Sequence, residues 1–461
     1  MALAIAAALV VYSQTNAFAW DEGFHLLAAR LILAGKQPYR DFLFAQTPLN
    51  AWWNSLIMRF TGIGWRVPQA AAALETAAGA WLTADYILRR LPVGGRVSIA
   101  SATALLIAAN VRVVEYATIP QAYGMCILLS AVAFRSAVAS VEKHWWWAVF
   151  AGAAAGAAAS STLLAGMMGP VLFVWLAMQG GWRRAVAYAA GAAAGLSPVI
   201  LALIHDYRQF FFDVATYHMK FRQVDWDGWF GHDLNVLTGF LDSVQGLILV
   251  SLVAAGAMVA RGRRDLLLCA SVLAFSSVYL ATAHPTFAQY FVVEIPFAAV
   301  LAAAGLEELY ERYPRRWPAG AVAALMILTA ARAVAGEGDD MSWADLQPVA
   351  DAVAKLTTPQ TRLYADDPIY FLTGRMPPPG MEWGSGHKVD LPSVEACYFH
   401  VLTQAELDRQ IKAGDFALLQ TCDEDLVNRL GLDEIYGSKQ TIGDCFVFRE
   451  VKRAAAKPTL Q

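Results

Sequence analysis

Eleven apolar stretches follow one another down the first 335 residues, most of them long enough to cross about 30 Å of hydrocarbon as a helix of roughly 17 to 25 residues. They lie at approximately 2–19, 67–88, 97–112, 119–139, 145–161, 163–179, 185–204, 243–260, 266–283, 287–305 and 318–335. Backbone amides in lipid must be satisfied within the protein, and only helices or closed barrels achieve that. The expected fold is therefore an α-helical polytopic membrane protein of about eleven transmembrane helices. Composition agrees: 57% of residues are hydrophobic and 16% charged, against about a quarter charged in soluble domains. Some windows are short or rich in Ala and Gly, notably 148–159, and small residues at that density suit close helix-helix approach.

Charge divides the chain. Residues 336–461 hold 20 acids and 12 bases, a net of −8, whereas residues 1–335 hold 18 acids and 23 bases, a net of +5. The acidic tail reads as a water-exposed domain, so a transmembrane module at 1–335 is expected to precede an extracytoplasmic domain at 336–461. Bases recur in alternate loops: Arg89, Arg90 and Arg96, then Arg135 and Lys143, Arg183 and Arg184, Arg261, Arg263 and Arg264, and Arg312, Arg315 and Arg316. Cytoplasmic loops carry such an excess. The N-terminus is then inside, while loops 20–66 and 205–242 and the tail lie outside. Ala17-Phe18-Ala19 also resembles a signal-peptide cleavage site, but no basic segment precedes it and the alternation needs this helix to be retained.

Asp21-Glu22 stands at the outer end of the first stretch. Adjacent carboxylates at a membrane boundary are costly and usually functional; the structural alternative for Asp21 is an N-cap that satisfies helix amides. From 22 to 33, Phe24, Leu27, Ala28, Leu31 and Ile32 recur at helical spacing, so this amphipathic loop helix is expected along the membrane surface with its apolar face among lipid headgroups. Gly35 ends it. A polar turn, Lys36-Gln37-Pro38-Tyr39-Arg40-Asp41-Phe42, leads to Gln46-Thr47-Pro48-Leu49 and a second amphipathic helix with Trp52 and Trp53, aromatics that suit a membrane boundary.

This sequence of features resembles the first external loop of the GT-C glycosyltransferases, in particular bacterial relatives of the protein O-mannosyltransferases and the lipid A aminoarabinose transferases. The likeness extends more loosely to the 284–296 segment and to the layout with a soluble C-terminal domain. The resemblance implies a multi-pass enzyme of the bacterial inner membrane, with its active site and C-terminal domain on the periplasmic face. It implies transfer of a sugar from a polyprenyl-phosphate carrier to a glycan, lipid or protein acceptor, with an acidic catalytic residue at Asp21. Two positions depart from the pattern. Gln46-Thr47-Pro48 stands where the aminoarabinose branch has Lys-Pro-Pro, and Ile119-Pro120-Gln121 lacks the acid that many relatives carry after that proline.

The chemistry needs a base. A sugar on a lipid phosphate is already activated, so the remaining task is to remove the acceptor's proton as it attacks the anomeric carbon from the opposite face, which inverts that centre. A carboxylate in a partly dry site has the proton affinity for this. Asp21 is assigned that role, with Glu22 orienting acceptor or helix. For the carrier's phosphate and sugar the candidates are His25, Tyr39, Arg40 and Asp41 in the first loop, and His284, Gln289 and Tyr290 before the tenth window; Arg matches phosphate through its planar fork of donors. Arg208, Lys220 and Arg222 are further cations, the last two read equally well as a solvated charge run. A divalent cation on Asp41, Glu115 or His284 is compatible with the residue types, but their spacing forms no recognisable ligand set, and no metal site is assigned.

Three acids fall within apolar windows. Asp85 is expected to pair with Arg89 one helical turn on, Glu75 has no evident partner, and Glu294 either reaches the polar cavity or pairs locally. In the tail, 361–365, 415–420 and 444–449 read as strands and 343–355 and 405–411 as helices, a small α/β layer. Pro377-Pro378-Pro379-Gly380 makes a stiff loop that could reach the active-site mouth. Cys397, Cys422 and Cys445 allow one disulfide outside the cytoplasm without choosing it. The tail has no glycine-rich nucleotide motif, so it is expected to recognise acceptor or carrier; membrane lipids are the other partners, with no nucleic acid. The alternatives are a transporter or flippase of a lipid-linked or anionic substrate, although no matching broken helices mark two halves, and a glycan polymerase or ligase.

Overall fold

The computed structural model describes residues 1–15, 20–91, 95–221, 229–313, 317–336, 341–384 and 389–452, with backbone alone at 15, 20, 21 and 229. Ala17-Phe18-Ala19, Arg222 and the Arg315-Arg316 pair lie outside the described residues. The chain packs as two compact units. One comprises Met1–Ala17, Gln46–His205 and His218–Asp340; the other comprises Phe18–Ala45, Asp206–Tyr217 and Met341–Gln461.

Helical structure is found in each of the eleven apolar windows, with 185–204 divided between Trp182–Gly195 and Ser197–Phe211. Among the described residues, five helical segments are long and apolar enough to cross a membrane: Ala122–Glu142, Leu163–Gly180, Arg264–Ala281, Ala288–Arg312 and Trp317–Gly336. The count rises to seven if two pairs bent by 61° and 82° each make one span, and Ala2–Gln14, Arg96–Ala108 and Trp147–Ser161 are shorter apolar helices. Small residues do bring helices together. A Cβ added at Gly152, Gly191 or Gly195 would overlap the backbone where Trp147–Ser161 crosses Trp182–Gly195. Stretch 205–242, expected as an external loop, is instead largely helical: Ser197–Phe211 runs into π-helical Phe212–Phe221, and Trp229–Asp242 follows. Its apolar residues recur at helical spacing, a pattern masked in a hydropathy window by the intervening polar ones.

The tail forms the expected α/β layer. A four-stranded sheet has the order β1-β2-β4-β3, with β1 at Leu363–Tyr364, β2 at Leu418–Thr421, β3 at Tyr436–Ile442 and β4 at Cys445–Val451. β1 runs parallel to β2, and the other pairings are antiparallel. β3 is the strand not anticipated. Only its Tyr436 is buried, because an edge strand needs little apolar sequence. Helices Trp343–Leu356 and Gln404–Lys412 match the two expected. The disulfide joins Cys422 to Cys445, leaving Cys397 exposed.

Candidate functional site

The loop helix spans Trp20–Leu33. It stops at Gly35, whose φ of 90° is left-handed, where Lys36 N–H donates to the Leu31 carbonyl at 3.0 Å. Asp21 falls in the first turn of this helix, beside the positive end of its dipole; its side chain lies outside the described residues. Glu22 is buried and accepts a hydrogen bond from the indole N–H of Trp343. The expectation that the apolar face lies among lipid headgroups is corrected. Leu26, Leu27 and Leu31 are at most 1% exposed, and the helix packs against the tail. Phe24 meets the Trp383 ring at 4.5 Å, Gly23 faces Pro368, and Arg30 donates to the Phe371 carbonyl. Protein apolar surface covers that face as effectively as lipid would, and it adds hydrogen bonds that fix the helix's position.

The other first-loop candidates have distinct environments. His25 is buried, and desolvation pushes its imidazolium down to about 3. It is therefore a neutral ring that can hydrogen-bond but brings no positive charge to a phosphate. Tyr39 is buried at a left-handed φ of 65°, edge-on to Phe210 at 5.0 Å; burial, and then the charge of Asp213, raise its phenol well above the ordinary range. Asp41 closes the turn by accepting the Gln37 N–H at 2.8 Å. Arg40 keeps a side chain 63% exposed, 3.8 Å from Asp41. Of these first-loop candidates it is the one that offers an accessible cation.

Two residues of the same unit had no signal of their own in sequence. Asp213 is fully buried, taking the Phe44 N–H and the Gln209 amide, each at 2.8 Å. Glu382, also buried, joins Lys36 to the stiff proline loop: Lys36 Nζ lies 2.8 Å from one carboxylate oxygen, and Gly380 N–H donates to the other at 2.8 Å. Both carboxylates anchor the first loop to chain distant in sequence.

His284, Gln289 and Tyr290 belong to the first unit. His284 Nδ1 lies 3.1 Å from Asp233, which also accepts the Thr286 N–H at 2.8 Å. Tyr290 is buried edge-on to Phe287, and Gln289 is half-buried. The 3-10 helix Ala288–Glu294 that carries them helps wall a cavity of about 1190 Å³. Its lining is mostly aliphatic and aromatic, with His232, Gln245 and Glu294 among the polar groups and Arg112 and Arg332 as its cations. Arg112 pairs with Glu115 at 2.9 Å. Glu294 accepts from the Ser277 hydroxyl at 2.8 Å, and its other oxygen is buried with no hydrogen-bond partner among the described residues. Arg112 and Arg332 were missed because each sits at an apolar window's edge, where a lone base looks like a flank. Asp85 pairs with Arg89 as expected and also with Arg135 at 2.8 Å; Glu75 accepts the Trp53 indole N–H at 2.7 Å. Among the described residues no three His, Cys, Asp or Glu side chains gather as a metal site.

No protein-family model and no curated protein matches the chain. Solved structures do. ArnT from Cupriavidus metallidurans bound to undecaprenyl phosphate aligns with a TM-score of 0.71 at 17% identity, covering 97% of each chain. The chain has the ArnT fold. The apo state of ArnT from the same organism aligns at 0.69 and 18% identity, again over 97% of each chain. The Archaeoglobus fulgidus oligosaccharyltransferase tethered to an acceptor peptide aligns at 0.48 and 11% identity, over 95% of this chain and 72% of that one. A GT-C fold was thus legible in the first-loop residues, and the ArnT likeness extends it from end to end.

Proposed function

We propose that the chain is an inner-membrane glycosyltransferase that moves a sugar from a polyprenyl-phosphate carrier to an extracytoplasmic acceptor, with inversion. The end-to-end correspondence with the ArnT fold carries this reading. The acceptor's oxygen or nitrogen attacks the anomeric carbon, its proton passes to the Asp21 carboxylate, and the bond to the carrier phosphate breaks with its electron pair leaving on phosphate. Arg40, with its exposed guanidinium, is the first-loop cation offered to that phosphate. The cavity supports the reading through its chemistry, since an apolar lining with a few bases suits an isoprenoid ending in a phosphate. By the basic-loop orientation, the helix ends that carry Arg112 and Arg332 are the outer ones.

The test is transfer by the purified protein in detergent, with radiolabelled polyprenyl-phosphate sugars and a panel of glycan, lipid and peptide acceptors. Asp21→Asn should lower turnover at least about a hundredfold while carrier binding survives. Carrier movement across a bilayer without any new glycosidic bond would refute the enzyme in favour of a transporter.

A further inference from the structure

The first turn of the loop helix is held by the C-terminal domain at two adjacent residues. Glu22 is fully buried and takes the indole N–H of Trp343, itself 2% exposed and braced edge-on by Phe371 at 5.6 Å. Gly23, the next residue, lies so close to the second domain helix, Asp367–Thr373, that an added Cβ would come within 2.7 Å of Pro368 Cγ. A buried carboxylate is stable only where donors replace the water it has lost. The indole supplies one such donor from a helix more than 300 residues away in sequence. Both contacts fall within one helical turn of position 21, in the helix Trp20–Leu33.

We propose that Trp343 is a positioning residue for sugar transfer: its N–H grips Glu22 and thereby sets the turn that presents Asp21. This rests on the reading of Asp21 as the base. The role belongs to the domain's first helix, Trp343–Leu356, which starts at the Ser342-Asp345 capping box; the capped end keeps Trp343 in place. The extracytoplasmic domain then contributes to the chemical step as well as to recognition.

Trp343→Phe keeps the ring's packing and removes the donor. In the full-length protein in detergent, turnover should fall about ten- to a hundredfold, the scale of one lost hydrogen bond to a charged group, with the apparent KM for the polyprenyl-phosphate sugar within twofold of wild type. In a Glu22→Ala background the same substitution should change turnover less than twofold, because the bond is already gone. Hydrogen exchange gives a readout independent of activity. Both Trp343→Phe and Glu22→Ala should speed exchange at amides 22–25 while leaving β2 and β4 unchanged. Trp343→Phe turnover within twofold of wild type, an undiminished loss in the Glu22→Ala background, or unaltered exchange at 22–25 would each overturn the proposal. If Asp21→Asn retains transfer, the base assignment itself fails; if Asp21→Asn is inactive and Trp343→Phe is not impaired, only the positioning role fails.

Discussion

Asp366 and Asp367 open the short helix Asp367–Thr373, and both are half-buried. Burial pushes Asp366 up to about 6, against the Gln420 amide and the Cys422 N–H that favour its charge. Burial, and then the neighbouring Asp366, push Asp367 up to about 7, opposed by the Gly384 N–H at 3.3 Å. The sign follows from linkage. The folded state holds the Asp367 proton more tightly than the unfolded chain, whose value is near 3.9, so the stabilisation is fully present below about pH 4 and is lost as pH rises through about 7. Three pH units at 1.36 kcal/mol each give about 4 kcal/mol, and discounting by half for partial exposure leaves about 2 kcal/mol. Asp367→Asn retains an acceptor for Gly384 and cannot ionise. It should therefore stabilise the domain by about 2 kcal/mol at pH 8, roughly a thirtyfold slower opening, and by only about 0.5 kcal/mol at pH 4.5. Hydrogen exchange of amides 363–373 in the full-length protein, corrected for intrinsic rates, measures both. A gain that is the same at the two pH values, or a loss at pH 8, would refute the burial argument.

Gln245 accepts the Val111 N–H at 2.8 Å and donates to Ala109 O at 2.8 Å and to Thr329 Oγ1 at 2.7 Å. Gln245→Leu orphans these groups at about 1–3 kcal/mol for each one left buried, so thermal unfolding in detergent should drop by several degrees; a midpoint within one degree of wild type would count against the network. Cys422→Ser opens a bridge between cysteines 23 residues apart, worth about 3 kcal/mol in the chain-entropy picture. It should speed exchange across β2 and β4, and a reductant should then have no further effect on those strands.

Much of the fold was legible because membrane helices announce themselves locally. Helix formed in every apolar window, since a segment that must satisfy its own amides needs no distant partner, but the number of spans did not follow: among the described residues five helical segments, or seven with the bent pairs, are long and apolar enough to cross. The first-loop helix and its Gly35 stop were equally local, and so were two of the tail's helices, Trp343–Leu356 and Gln404–Lys412, and its buried strands; the shorter helices Asp367–Thr373, Ser393–Tyr398, Glu424–Leu430 and Leu432–Ile435 were not anticipated. What escaped was fixed by partners elsewhere in the chain. The polar edge strand Tyr436–Ile442 exists because Cys445–Val451 pairs with it, and nothing in residues 206–217 foretold that Asp213 would take the Phe44 N–H.

The apolar face of the Trp20–Leu33 helix shows where the division lies. Spacing alone established that Leu27 and Leu31 share a face that must leave water, and that two acids stand at the start of that helix. Whether lipid or protein covers the face was beyond any local pattern, because hydrophobic burial is non-directional and either apolar surroundings would serve. Tertiary structure decided it in favour of the C-terminal domain, through contacts that need exact geometry: an indole N–H at Glu22, a proline ring against Gly23 and a lysine tied to Glu382.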